Sequence, residues 1–236
     1  MGEPGHTFCF IAGMPQTTVL LDVDGTLVDS NDAHAHAWVA AFAAAGVEVA
    51  FDHVRRCIGM GGDKLMPAVS GLQSDSAAGK KIAAHRGEIF LRDWVPRLRP
   101  QRDADRLLRA LKERGLRVVT ASSAKRHELE PLLKIVGAEW LVDSHTSSDD
   151  ADSSKPDPDI IVAALERAGA RSGDAVMIGD TPYDVEAAMR AGVDTIAFRC
   201  GGWSDEDLGG AVAIYDGPWD LLTRLDRSLL APRAAR

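Results

Sequence analysis

The stretch TVLLDVDGTLVDS, residues 18–30, decides the fold of this chain. An apolar run typical of a buried strand leads directly into three carboxylates within eight residues, which are Asp22, Asp24 and Asp29. Like charges at this spacing repel one another, and their removal from water raises the cost further. The pattern therefore predicts a positively charged group at the end of the strand, and other parts of the sequence must supply it.

Length, composition and charge limit the classes of protein to which the chain can belong. Its 236 residues suffice for one large domain or for a domain with a sizeable insertion. The net charge of −8 argues against a general nucleic-acid binder and against a protein of anionic membrane surfaces. No apolar run approaches the roughly 18 residues of a membrane span. We therefore expect a globular protein without a nucleic-acid or membrane partner, and its oligomeric state, monomer or homodimer, stays open.

The N-terminal segment and the cysteines bear on localisation. The first lysine or arginine is Arg55, so the start of the chain lacks the basic region of a signal peptide. Cys9, Cys57 and Cys200 match no metal-binding spacing and are typical of reduced thiols. These features predict a cytoplasmic protein in which residues 1–15 form a loose tail.

Short apolar runs alternate with amphipathic segments through the second half of the chain. Four runs have the composition of strands buried on both faces: Val118–Ala121, Ala175–Gly179, Thr195–Phe198 and Ala211–Ile214. The segments between and after them have helical periodicity: Arg126–Val136, Pro158–Ala168, Asp184–Ala191 and Pro218–Leu225. This alternation predicts an α/β fold, a Rossmann-like parallel sheet with helices on both faces.

The segment that follows the first strand has a different character. It has almost no β-branched runs, and helical patterns occupy Ala33–Ala45, Asp63–Val69 and Ala77–Trp94. Glycines separate these patterns from one another. We therefore predict an all-helical subdomain of residues 31–99, inserted into a sheet core that consists of residues 16–30 and 100–230.

Polar side chains are expected to meet at one edge of the predicted sheet, because ligands of open parallel sheets bind at the carboxyl ends of the strands. The segments at those ends carry carboxylates, a hydroxyl and an ammonium: Asp22, Asp24, Ser122, Lys155, Asp180 and Asp184. Oxygen ligands without histidine or thiolate favour Mg²⁺, and a lysine with a serine beside them suits a phosphoryl group. The sequence thus predicts a Mg²⁺ site that binds a dianionic phosphoryl group.

Four ordered segments resemble the motifs of the haloacid dehalogenase superfamily of phosphohydrolases. They are DVDGTLVDS, VVTASS, SSKPDPD and IGDTPYD, and they occur between residues 18 and 184. Four motifs in this order are a far more specific signal than a lone DxDGT. The helical insertion is similar to the cap of phosphoglycolate phosphatases and β-phosphoglucomutases, which implies that it closes over the site.

The resemblance implies a role for each of the acids. Asp22 is implied as the nucleophile that forms an aspartyl-phosphate, and Asp24 as the general acid and then the general base. Mg²⁺ is implied to bind Asp22, the backbone carbonyl of Asp24, and Asp180. Asp184 is implied as an outer ligand or as a residue that orients the other ligands.

The resemblance also implies contacts to the substrate. Phosphoryl contacts are implied for residues of the core: Thr26, Ser122, Ser123 and Lys155. In the insertion, His34 is a candidate substrate contact, and an exposed or capping histidine is the alternative. Gly59 and Lys64 lie where related caps carry a specificity loop, and an ordinary interhelical loop is the alternative.

Three functions remain open at the level of the sequence. The first is a Mg²⁺-dependent phosphatase, which the GDTPYD motif resembles most. The second is a sugar-phosphate mutase of the β-phosphoglucomutase type, with which the chain shares a serine, Ser154, before the motif lysine. The third is a non-catalytic module that binds a phosphorylated ligand, and the intact set of site residues argues against it.

Overall fold

The computed structural model of the chain describes residues 16–231, so the predicted tail lies outside the described residues. Within this range the centre of the molecule is a five-stranded parallel sheet with the strand order β2-β1-β3-β4-β5. The strands are β1 Thr18–Leu21, β2 Arg117–Thr120, β3 Ala175–Gly179, β4 Asp194–Phe198 and β5 Ala213–Tyr215. The predicted α/β fold with a parallel sheet is therefore confirmed.

The register of the central strands brings the acids of the sequence to one edge. In β1, Leu21 is level with Thr120 of β2 on one side and with Ile178 of β3 on the other. Because the strands are parallel, the residues that follow them emerge at the same edge of the sheet. Asp22 and Asp180 are consequently neighbours, although they are far apart in the chain.

Helices cover both faces of the sheet. They are α5 Ala104–Glu113, α6 Arg126–Val136, α7 Asp159–Ala168, α8 Pro182–Arg190 and α9 Pro218–Arg224. Side chains of β1 alternate between two hydrophobic clusters: Val19 and Leu21 pack in the cluster that contains α5, and Leu20 packs in the cluster that contains α7. This two-sided burial explains why the strand has no polar residue before Asp22 except Thr18, which is itself buried.

The helices between β1 and β2 form the insertion. They are α1 Asn31–Ala44, α2 Phe51–Arg56, α3 Gly62–Ser70 and α4 Ala77–Ile89. A π-helical turn, Phe90–Trp94, and a 3-10 turn, Val95–Arg97, continue directly from α4. Residues 31–99, all of which the structure describes, contribute no strand to the sheet. Helix α1 packs against α2 and α4.

The chain passes between the sheet and the insertion at two adjacent positions. Val28 forms an isolated antiparallel bridge with Pro100. The Asp29 N–H donates to the Arg99 carbonyl at 3.0 Å, and the Gln101 N–H donates to the carbonyl of Leu27 at 2.8 Å. The two crossings therefore form a short paired ribbon that attaches the insertion to the sheet.

The structure differs from the sequence-based expectations at several boundaries. Strand β5 begins at Ala213 rather than Ala211, and its first two residues are only half-buried because β5 is the edge strand. Its predicted burial on both faces is therefore wrong. Helix α8 begins at Pro182 rather than Asp184, since Thr181 caps it with its hydroxyl.

Within residues 16–231, no helix combines the length and the apolar character that crossing a membrane requires. Two of the cysteines, Cys57 and Cys200, are free thiols, and Cys9 lies outside the described residues. The predicted cytoplasmic location stays a prediction.

The packing of α7 on the sheet yields a stability prediction. Ile161 is fully buried, whereas the next residue, Val162, is 42% exposed. Ile161→Ala leaves a cavity between α7 and the sheet, so we expect the free energy of unfolding to fall by about 2–5 kcal/mol. Val162→Ala is the matched control, with an expected change below about 0.5 kcal/mol. Urea denaturation measures both, and equal losses would contradict this packing.

Candidate active site

Three buried carboxylates meet beyond the carboxyl ends of β1 and β3: Asp22, Asp180 and Asp184. One oxygen from each lies within 4.8 Å of the others. The first two follow neighbouring strands, and α8 brings the third because the helix begins directly after β3. The structure thus brings together three acids that the sequence predicted at one edge of the sheet.

Lys155 supplies the positive charge that the acidic strand end predicted. Its side chain is 1% exposed, and its Nζ lies 2.7 Å from Asp22 Oδ1 and 2.6 Å from Asp184 Oδ1. Burial alone would lower the pKa of Lys155, but the charges of Asp184 and Asp22 outweigh it and raise the pKa. The lysine therefore remains protonated at neutral pH.

The cluster retains an excess of negative charge. Within the described part of the chain it sets three carboxylates against one ammonium. Burial raises the pKa of Asp22 well above its usual value, and burial together with the charge of Asp184 raises the pKa of Asp180 to about 7. A further cation among these oxygens would relieve the repulsion. An all-oxygen set at this spacing fits a small hard cation such as Mg²⁺.

Two side chains from the residues after β1 orient Asp180. Thr26 Oγ1 donates to Asp180 Oδ1 at 2.6 Å, and Asn31 Nδ2 donates to Asp180 Oδ2 at 2.8 Å. The Thr26 hydroxyl also lies 3.3 Å from Asp22 Oδ2, so it is engaged by the acids of the cluster. The sequence did not single out Asn31. Its Oδ1 is buried without a partner among the described residues, which adds an oxygen beside the cluster.

Gly25 is required by the close approach of these side chains. Its φ is +76°, a conformation that side chains disfavour. A Cβ at this position would lie 2.2 Å from Asp180 Oδ2 and 2.3 Å from Asn31 Nδ2. The glycine of the DxDGT stretch therefore allows the turn to pass directly beside the carboxylate cluster.

Asp24 faces the insertion rather than the carboxylate cluster. Its Oδ1 lies 2.7 Å from His34 Nε2 and accepts from Ser30 Oγ at 2.6 Å. Burial alone would raise the pKa of Asp24, but the charge and hydrogen bond of His34, with the bond from Ser30, lower it. His34 is buried and stacks on Phe90 with 3.8 Å between ring centroids. The alternative of an exposed histidine is therefore wrong. Asp29, the third acid of the stretch, is exposed.

The hydroxyls after β2 have separate partners. Ser122 is buried, and its Oγ accepts from the Ala124 N–H at 3.1 Å within its own turn. Ser123 Oγ donates to the Gly59 carbonyl at 3.3 Å, so this pair links the sheet to the insertion. Thr120, the neighbouring hydroxyl within β2, is bound to the backbone of Thr146.

A capping box positions Asp184. Its Oδ2 accepts from the Thr181 N–H at 3.0 Å and from the Thr181 hydroxyl at 2.7 Å. Its Oδ1 remains for Lys155. The same carboxylate thus fixes the start of α8 and holds the ammonium.

A cavity of about 60 Å³ lies between the sheet and the insertion, beside the acids. The sheet side contributes Asp22, Asp24 and Glu128 to its lining, and the insertion contributes His34, Gly59 and Arg86. No sequence pattern indicated Arg86 or Glu128, because charged residues on amphipathic helices resemble a solvated face.

Lys64 does not line this cavity. Its ammonium binds the Asp157 carboxylate at 2.6 Å, and both side chains are partly exposed. Helix α3 starts beside the loop that carries Lys155, so it directs Lys64 to the seam between insertion and sheet. The substrate contact of Lys64 stays a prediction.

These features together define an α/β protein with a buried carboxylate cluster and a paired lysine at the end of its first strand. The family model of the haloacid dehalogenase-like hydrolases matches residues 19–198. The chain therefore belongs to this family.

Individual relatives agree with this assignment. The chain is 29% identical over 215 residues to N-acetylmuramic acid 6-phosphate phosphatase of Pseudomonas aeruginosa, an alignment that covers 89% of this chain and 95% of that protein. It is 32% identical over 190 residues to SUPPRESSOR OF QUENCHING 1, chloroplastic, of Arabidopsis thaliana, covering 78% of this chain but 18% of that protein.

A solved structure of a hydrolase from Pseudomonas syringae superposes with a TM-score of 0.85 at 28% identity, covering 92% of this chain and 100% of that one.

The predicted superfamily is confirmed by the family match. The predicted class of enzyme, a phosphoric monoester hydrolase, is confirmed by relatives that are phosphatases.

The buried ion pairs of Lys155 lead to a second stability prediction. Lys155→Met leaves Asp22 and Asp184 without their buried counter-charge, so we expect the metal-free protein to lose about 3–5 kcal/mol of unfolding free energy at pH 8. Lys64→Met breaks a partly exposed pair and serves as the control, with an expected loss below about 1 kcal/mol. Chemical denaturation in a chelator compares them. A Lys155 variant as stable as the control would disprove the role of this ammonium.

Proposed function

We propose that the protein is a Mg²⁺-dependent phosphatase that hydrolyses a small phosphorylated metabolite through an aspartyl-phosphate on Asp22. The observation that carries this proposal is the position of Asp22. Its buried carboxylate lines the cavity, is held by Lys155, and lies within 4.8 Å of the oxygens of Asp180 and Asp184. The edge of the cavity thus holds a nucleophile, its counter-charge and a set of metal ligands.

Asp22 acts as the nucleophile, and the Asp24–His34 pair transfers the protons. An Asp22 oxygen attacks phosphorus, the bond from phosphorus to the ester oxygen breaks, and the Asp24–His34 pair gives the departing oxygen a proton. Water then attacks the aspartyl-phosphate, the pair accepts the water proton, and phosphate leaves with Asp22 restored. The 2.7 Å contact between Asp24 and His34 supports this assignment, because the two side chains can share the proton.

The remaining residues of the site bind and orient. Asp22, the backbone carbonyl of Asp24, and Asp180 would hold Mg²⁺, with Asp184 and Asn31 beside them. When bound, Mg²⁺ neutralises charge and orients the phosphoryl group for in-line displacement. Thr26 holds Asp180 in place, and Lys155 balances the charge on Asp22 and on the phosphoryl group. Ser122 follows β2 and would donate a hydrogen bond to a phosphoryl oxygen, and Ser123 would do so in place of its hydrogen bond to the Gly59 carbonyl.

Residues 31–99 act in this proposal as a cap on a core of residues 16–30 and 100–230. Contacts along the seam support this division: the Gly61 N–H donates to Ser154 Oγ at 3.1 Å, and Arg55 Nη2 donates to the Gly201 carbonyl at 2.7 Å. Ser154 precedes Lys155, so the seam runs directly past the site. A cap in this position excludes bulk water from the phosphoenzyme.

The observations bear differently on the two alternatives, a non-catalytic binding module and a sugar-phosphate mutase. The family match and the phosphatase relatives argue against a non-catalytic binding module. A sugar-phosphate mutase would use the same aspartyl-phosphate and stays a prediction that no observation in the structure favours. Release of phosphate into water, rather than the appearance of a sugar bisphosphate, separates the phosphatase from the mutase.

Asp22→Asn tests the proposed function. We expect it to abolish phosphate release from a panel of phosphorylated metabolites, because an amide is a poor nucleophile and a weaker ligand for the metal. Asp29→Asn changes the exposed acid of the same stretch and is expected to retain full activity. Circular dichroism confirms that both variants are folded. Wild-type rates in a folded Asp22→Asn protein would overturn the assignment of the nucleophile.

Metal binding has a readout that does not depend on activity. Mg²⁺ that binds only the folded state should increase the free energy of unfolding by about 2.7 kcal/mol at a hundredfold excess over Kd, and it should therefore raise the melting temperature. We expect stabilisation rather than destabilisation because the carboxylates repel one another when the ion is absent. Asp180→Asn should remove most of the shift, and Asp29→Asn should keep it. Equal shifts in all three proteins, measured by calorimetry, would place the ion elsewhere.

A further inference from the structure

We propose that the leaving group of the substrate is an uncharged polyhydroxylated molecule, such as a sugar or a polyol, and that a buried Arg86–Glu128 ion pair selects it. This inference rests on the proposed function, since it names the substrate class for the same site. It separates two kinds of substrate that the sequence leaves open, which are phosphoglycolate and sugar phosphates.

The ion pair spans the seam between the insertion and the sheet domain. Arg86 lies on α4 and Glu128 lies on α6, and Arg86 Nη1 is 2.7 Å from Glu128 Oε2. The two side chains are 12% and 2% exposed. Both residues line the cavity together with Asp22 and Asp24. The pair therefore faces the space into which a leaving group would depart from phosphorus.

The surroundings of the pair hold it in position. The Arg86 guanidinium lies over the ring of Trp38, 5.0 Å from its centroid, and Trp38 also lines the cavity. Gly87 lies within α4, where a Cβ would approach Glu128 Oε1 to 3.0 Å. A glycine inside a helix is unfavourable, and here it leaves room for the carboxylate against the helix. Trp38 and Gly87 thus hold the ion pair in a fixed position in the cavity wall.

Part of the hydrogen-bonding capacity of the pair remains for a ligand. Arg86 Nε is buried and has no hydrogen-bond partner among the described residues. Glu128 Oε1 has His127 Nε2 at 3.8 Å, beyond hydrogen-bond distance. A hydroxyl group can accept from the guanidinium and donate to the carboxylate at the same time. A ligand with hydroxyl groups would therefore satisfy both residues without separating them.

A carboxylate in the position of that hydroxyl group could accept from Arg86 but could not donate to Glu128. Asp22 and the ion pair line the same cavity of about 60 Å³, so a group bonded directly to the ester carbon of a bound substrate would lie close to the pair. An anion there must draw Arg86 away from Glu128, which leaves Glu128 buried without a counter-charge, a strongly unfavourable state. The charges of Asp22 and Asp24 add repulsion. The ion pair would therefore discriminate against phosphoglycolate, whose carboxylate is bonded directly to the ester carbon.

A leaving group larger than the cavity has room to extend outward. A second cavity of about 430 Å³ shares Trp38, Arg86 and Ser123 with the first. Its other charged residues have both signs: Asp63, Lys80, Lys125 and Asp152. The outer cavity thus offers space for the remainder of a sugar, and the selection against charge is made at Arg86 and Glu128.

Two matched pairs of substrates test this selection with the complete protein and Mg²⁺. They are 2-hydroxyethyl phosphate against phosphoglycolate, and glycerol 3-phosphate against 3-phosphoglycerate, and in each pair a CH₂OH group replaces a carboxylate. We expect kcat/KM to be at least tenfold higher for the hydroxyl member of each pair. Phosphoglycolate turned over as well as 2-hydroxyethyl phosphate, or better, would overturn the proposal.

The variant Glu128→Gln tests the ion pair itself. Glutamine keeps the shape and an acceptor oxygen but loses the charge, so carboxylate-bearing substrates should gain and the substrate ratio should fall at least tenfold. Glu186→Gln, which removes an acid from a partly exposed pair with Arg190, is the control and should leave the ratio unchanged. An unchanged ratio in folded Glu128→Gln would overturn the role of the pair, and if that variant does not fold, the wild-type ratio decides.

p-Nitrophenyl phosphate separates this inference from the proposed function. Its leaving group needs little recognition, so phosphate release from it reports the catalytic machinery. Turnover of p-nitrophenyl phosphate with no preference for hydroxyl over carboxylate would reject the substrate class and leave the phosphatase intact. Failure to release phosphate from any of these esters would reject the proposed function, and the inference would fail with it.

Discussion

The buried ammonium of Lys155 joins three distant parts of the chain. It contacts Asp22 after β1 and Asp184 at the start of α8, and it lies itself in the loop before α7. Charges this far from water are stable only when they are paired, so the three segments must converge for the protein to fold. The convergence fixes the carboxyl edge of the sheet. It also leaves the excess of carboxylate oxygens that a divalent cation would balance.

Much of the sheet and of this cluster could be predicted from the sequence. Strands buried on both faces are uninterrupted apolar runs, and in parallel strands the following residues must meet at one edge. Helices α2 and α5 were not predicted. Helix α2 has six residues, and α5 places Leu107, Leu108 and Leu111 among many charged residues. The short α2 depends on tertiary packing more than on its own helical propensity. Helix α5 consists largely of strong helix formers, so its pattern was present in the sequence.

Residues that act across the seam could not be predicted in this way. Asn31, Arg86 and Glu128 are defined by partners in other elements, and each is unremarkable within its own helix. Arg86 precedes Glu128 by 42 positions, and only the position of the insertion against the sheet domain brings their side chains to 2.7 Å. By contrast, Asp22 and Asp180 share an edge through the topology of the sheet alone. Sequence patterns encode topology more directly than they encode the docking of one helix on another.

Among the described residues, two pairs of side chains cross the seam at the cavity, and they bear on how the proposed cap would close. The His34–Asp24 contact lies beside the nucleophile, and the Arg86–Glu128 pair lies at the wall. Opening returns all four side chains to water, and closure removes them again, so the gain from pairing is offset by the loss of hydration. A leaving group that bonds to Arg86 and Glu128 would tip this balance toward closure. Substrate selection and the exclusion of water would then arise from the same contacts.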